Sequence, residues 1–187
     1  MNIFIKYIWF AIAIVGLIIN SYSAAAQRTI PEQSSLQAIA LFNGCSFGTE
    51  AIYAKYTLNG YWNSGISFND YSTILDSGDK YQYEHISAKG GYMFRIVGTS
   101  KRNVNMYGGG GAFIGCELMD PFEKLPFYIE TNTNDFRFLY GIYGEINLEI
   151  FLAEKTALTV NISLPINFSS VFDAIHYQTG LGCRILL

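Results

Sequence analysis

Seven charged side chains define the chemistry open to this chain: Lys55, Lys89, Arg95, Arg137, Glu145, Glu149 and Arg184. Each sits in a stretch where apolar and polar residues alternate, so in strands they share an inward polar face. Glu145 and Glu149 then leave the same face of one strand about 13 Å apart. A glycosidase needs its two carboxyls within about 5–9.5 Å, so this pair is set too wide for that acid–base work. Charges of both signs on one enclosed face predict an ion-pair network, because a buried charge without a partner is costly.

Other candidate chemistries fail on spacing. The two histidines, His85 and His176, stand near predicted strand starts with no neighbouring ligand in sequence. Neither Gly-x-Ser-x-Gly nor His-Glu-x-x-His occurs. The Gly108–Gly111 run has no following Lys-Ser/Thr and no helix start, which a phosphate-cradling loop requires. Within a narrow barrel, inward glycines would instead make room for long side chains from neighbouring strands. Three cysteines, Cys45, Cys116 and Cys183, lie far apart in no metal-ligand pattern. Cys183 reads as a small hydrophobe on an outward face, and an oxidising compartment would permit a Cys45–Cys116 pair. The reading is therefore a non-enzyme, with no metal, cofactor or small-molecule substrate expected.

The elements that hold these side chains read as strands. From Phe136 to Leu152 the even positions are almost wholly apolar, while Arg137, Glu145 and Glu149 occupy odd ones. A helix would scatter those charges among the apolar groups. Thr156–Phe168 repeats the pattern, with Leu158, Val160, Ile162 and Leu164 outward and Thr159, Asn161 and Ser163 inward. His176–Leu187 places Gln178 and Arg184 inward. Tyr81–Ile96 sets His85, Lys89 and Arg95 against Ile86, Ala88 and Phe94. In Glu50–Leu58, Ile52, Ala54 and Tyr56 form the apolar face, which sends Lys55 inward. Ser34–Phe42, Gly65–Leu75 and Asn103–Cys116 complete eight strands. Glu117 to Asn134 is the longest polar connection, with two prolines. Its charged residues Glu117, Asp120, Glu123, Lys124 and Glu130 are expected to form an exposed partner loop.

The amino terminus supplies a location. Residues 1–26 carry Lys6, then an apolar run from Tyr7 to Ile19, then Ser21 to Ala26 with small residues before the expected cut. That order is a secretory signal peptide, leaving residues 27–187 as one domain. Losing Lys6 moves the formal charge from −3 to −4, which gives no reason to expect direct nucleic-acid binding. Abundant Tyr, Phe and Gly with sparse charge fits an outer-membrane β-barrel: all-β, antiparallel, up-and-down and about eight strands. Outer-membrane lipid is then one expected partner. An eight-stranded barrel is filled by its own side chains, so no wide channel is expected.

Particular residues also carry a family likeness. Ala26, Gln27 and Arg28 with Pro31 and Gln33 open the exported chain. Gly90, Gly91 and Tyr92 follow, then Gly109 to Ala112 ahead of Gly115, Cys116 and Glu117. Tyr140-Gly141, the Glu145–Glu149 stretch and Gly180 to Arg184 close the series. In order and spacing this resembles the conjugative-transposon TraO family of Bacteroidetes over essentially the whole exported chain. Thr29 stands where that family commonly has Cys, and Cys116 where it has an aromatic. The resemblance implies a structural or assembly component of a conjugative DNA-transfer apparatus at the outer membrane, with other conjugal transfer proteins as partners. Read without it, the chain would be a small general outer-membrane barrel for adhesion, host interaction or envelope stability. A barrel enzyme or narrow pore is a third reading, opposed by the absent triad and the charged interior.

Overall fold

The computed structural model describes residues 31–44, 46–74, 80–98, 104–119, 136–170 and 175–187. Every regular element among them is a strand: β1 (Ser34–Asn43), β2 (Ser46–Tyr56), β3 (Gly60–Ile74), β4 (Lys80–Gly98), β5 (Val104–Met119), β6 (Phe136–Phe151), β7 (Thr156–Asn167) and β8 (Gln178–Leu186). Each pairs antiparallel with the next, and β1 pairs with β8, so the sheet closes without an edge. Closure satisfies the backbone groups an open sheet would leave bare. The eight expected strands are all present. β3 begins five residues before the predicted Gly65, at Gly60 of the Asn59-Gly60 turn.

Alternation decides which residues point inward. On β6, Leu139, Tyr143, Glu145, Asn147 and Glu149 are buried, while Phe138, Tyr140, Ile142 and Ile146 are exposed on the outer wall. On β7, Thr159, Asn161 and Ser163 are buried against exposed Val160, Ile162 and Leu164. The outer wall is thus apolar and the interior polar, the reverse of a soluble domain.

Two packed layers close the interior. Near the short-turn end, Tyr56, Tyr61 and Tyr107 cluster with Met93, Phe151 and Leu186. Tyr61 meets Tyr107 edge-on with ring centroids 4.8 Å apart, a geometry aromatic rings favour. Higher up, Phe113, Leu139 and Tyr143 form a second cluster. Two glycines make this packing possible. A Cβ on Gly91 would lie 2.4 Å from the Gly110 carbonyl oxygen and 2.6 Å from the Tyr143 hydroxyl, and one on Gly141 would lie 2.0 Å from the Ile166 carbonyl oxygen and 2.6 Å from the Phe113 ring. At Gly109 and Gly111, on the inward phase of the Gly108–Gly111 run, a Cβ would first meet β4 backbone.

Candidate functional site

The interior charges resolve into three layers along the barrel. In the middle layer β4 presents Lys89 between Glu50 of β2 and Glu145 of β6. Its ammonium is 2.7 Å from the Glu50 carboxylate and 2.9 Å from that of Glu145. It also lies 4.9 Å from the Tyr143 ring centroid, over the ring face. All three charged side chains are at least nine-tenths buried, so each needs the others: desolvation penalises every charge and mutual attraction offsets it.

The lower layer is built on Arg184 of β8. Its guanidinium pairs directly with Glu149 of β6, and its Nε donates to Gln37 of β1 at 2.9 Å. Tyr56 donates to the same Glu149 carboxylate at 2.9 Å. The Tyr61 ring stacks against the guanidinium at 4.6 Å. A planar donor fork suits this multi-point hold better than a lysine would.

The upper layer sits at the long-loop end. His85 Nε2 lies 2.8 Å from Glu117 Oε1, and Ser170 Oγ donates to the same oxygen at 3.0 Å. Tyr71 packs against His85 and against His176. Between the upper and middle layers lies a polar cavity of about 40 Å³, bordered by Ser67, Asn69, Ser87, Lys89 and Gln178. That holds little more than ordered water.

Most of the sequence-predicted charges converge, and some do not. Lys89, Glu145, Glu149 and Arg184 are brought together as described. Arg137 is half-buried on the inward phase of β6, in register with Glu117. Arg95 has inward phase but lies exposed at the short-turn rim, beside a β-bulge between Arg95 and Val97. Lys55 is a correction: it points outward and pairs with Glu32 at 2.8 Å on the surface. The cause is the phase of β2, where Glu50 turns in to meet Lys89 and alternation then turns Lys55 out. Hydrogen bonding and charge from Lys55 hold the Glu32 carboxyl below its usual range.

Glu117 is the second correction. Expected in an exposed loop, it is fully buried, because β5 continues to Met119 and pairs Glu117 with both His85 and Arg137. His85 therefore has the partner its sequence neighbours lack. Asp120, Glu123, Lys124 and Glu130 lie outside the described residues, as does the 1–26 segment. Cys45 does too, and with it the expected Cys45–Cys116 pair, while Cys116 and Cys183 are free thiols. Sequence reasoning missed Glu50, whose only signal was its even phase with Ile52 and Ala54. Among the described residues no three His, Cys, Asp or Glu side chains converge as a metal-binding group.

Chemically, the arrangement is a set of buried polar contacts and stacked rings filling the barrel, in which Arg184 faces one carboxylate and Lys89 faces two. Its geometry suits holding eight strands in one register more than acting on a substrate.

Among curated proteins, none matches this chain in sequence. Solved structures share its fold. The outer membrane protein OprG from Pseudomonas aeruginosa is similar with a TM-score of 0.60 at 8% identity, covering 87% of this chain and 99% of that one. The N-terminal β-barrel domain of Pseudomonas aeruginosa OprF gives 0.54 at 10% identity, over 84% and 98% of the two chains. The outer membrane protein Ail of Yersinia pestis, in a phospholipid nanodisc, gives 0.51 at 13% identity, over 83% and 99%. Sequence supplies the family: the conjugative transposon protein TraO family matches residues 26–187, which include all eight strands, and the chain belongs to it.

Proposed function

We propose that this protein is a non-enzymatic outer-membrane part of a conjugative transposon's DNA-transfer apparatus, acting as a structural or assembly platform. Residues 1–26 direct its export. Its apolar outer wall meets lipid, its short turns face the periplasm, and other conjugal transfer proteins are its partners. The supporting observation is the pairing of family membership with a filled interior. The Lys89 and Arg184 layers and the Tyr56–Tyr61–Tyr107 cluster cross the barrel from wall to wall. A strand of nucleic acid has no lumen to pass through, so the reading is a platform beside the DNA path and not the path.

The test is an in-frame deletion in a donor cell, with transfer frequency measured against a complemented strain. A fall in transfer, restored by the intact gene, is the expected result. Purification from gently solubilised outer membranes should bring transfer proteins with it. Undiminished transfer without the protein would sink the reading.

A further inference from the structure

We infer that the outer wall carries a phospholipid seat, with one acyl chain in a groove across β8, β1, β2 and β3 and the headgroup phosphate at Lys55. The inference rests on the outer-membrane reading above and names the particular lipid contact. Strand register builds the groove. Cys183, Ala38 and Ala51 stand side by side as outward neighbours, followed by Ile66 on β3. One step toward the short-turn end come Ile185, Leu36, Tyr53 and Ser64. Small residues in the floor and larger ones at the sides leave an apolar groove of about 750 Å³. That is within the roughly 300–1,000 Å³ of clefts that hold small ligands.

The short-turn end of the groove changes character. Tyr53, whose side chain borders the groove, meets Ser34 hydroxyl to hydroxyl at 2.7 Å. One row further down, Lys55 stands beside Trp62 in register and extends its ammonium into solvent, half exposed. Its pairing with Glu32 is a surface contact, worth little and easily exchanged. An ammonium, two hydroxyls and an indole at one level, directly below an apolar groove, match a phosphate with its attached chain. Because short turns face the periplasm in barrels of this kind, the occupant is a phospholipid of the inner-facing leaflet.

The experiment refolds the full exported chain into vesicles of phosphatidylethanolamine and phosphatidylglycerol. It extracts the barrel in mild detergent and weighs it by native mass spectrometry. The wild type should retain one phospholipid. Ala51→Phe, which fills the groove, should lose it, and Lys55→Gln should retain less. Val160→Phe, on the outer wall away from the groove, should retain it as the wild type does. Heat-modifiable migration shows that each variant has folded. Flotation of the wild type with vesicles but no retained lipid would overturn this inference alone, as would equal retention by Ala51→Phe. A dimer seated on the same face, with no lipid, would also overturn it. Failure of the wild type to float would overturn the membrane reading and this one with it.

Discussion

The Lys89 ammonium and the Glu145 carboxylate, 56 positions apart in sequence, meet at 2.9 Å in the middle of the barrel. That contact, with Glu50 on the other side of Lys89, ties β2, β4 and β6 together across the interior. Backbone pairing joins each strand only to its neighbours, so these cross-barrel contacts fix which residues face in.

Lys89→Met should therefore destabilise the barrel strongly. It leaves two buried carboxylates facing each other with no cation, and breaking a buried pair costs about 3–5 kcal/mol. Urea unfolding in lipid vesicles, followed by tryptophan fluorescence, would show the midpoint falling. An unchanged midpoint would mean that the middle layer contributes nothing to stability.

Arg184 and Glu149 should behave as a coupled unit. Arg184→Met alone strands a buried carboxylate, whereas Arg184→Met with Glu149→Gln removes both charges. The double variant should be more stable than Arg184→Met by about 1–3 kcal/mol, since contacting residues are non-additive on that scale. Simple additivity in a double-mutant cycle would remove the pairing argument.

The contrast between Lys55 and Lys89 tests the phase of the strands. Lys55→Gln on the outer surface should leave the unfolding midpoint where it was, while Lys89→Gln should lower it. The same contrast shows what the sequence made legible. On β6 and β7 one face is almost wholly apolar and the charged and amide groups fall on the other, so Glu145, Glu149, Thr159 and Asn161 could be placed inward from alternation alone. On β2 both faces carry apolar groups, because Ile52 packs inside against Ile39 and Leu41. Hydrophobicity then points either way, and what sets the phase is the distant contact of Glu50 with Lys89. Glu117 was hidden for a related reason. An acid ahead of two prolines looks like the start of a loop, and only pairing with His85 and Arg137 shows the strand continuing.

Gly91 and Gly144 separate glycines that packing requires from those it does not. A Cβ at Gly91 would press on the Gly110 carbonyl oxygen at 2.4 Å and the Tyr143 hydroxyl at 2.6 Å, whereas one at Gly144 would meet nothing within 4 Å. Gly91→Ala should cost about 1–3 kcal/mol, as overpacking does, and Gly144→Ala should cost nothing measurable. Equal losses at both sites would show that strand flexibility, not space, is what these positions need.

A platform and a conduit differ in where mutations hurt transfer. If DNA passed through the barrel, interior charges would shape its path, and Glu145→Gln should change transfer frequency while sparing the fold. For a platform the interior is only scaffold, so that variant should transfer like the wild type. If the 120–130 connection contacts a transfer partner, as proposed from the sequence, reversing Asp120, Glu123 and Glu130 together should lower transfer by repelling that contact. The scale is about tenfold for each 1.4 kcal/mol of lost partner binding. Both sets must be compared at matched amounts of folded protein in the membrane. A transfer defect from Glu145→Gln, with none from the charge-reversed connection, would move the function from the rim into the barrel.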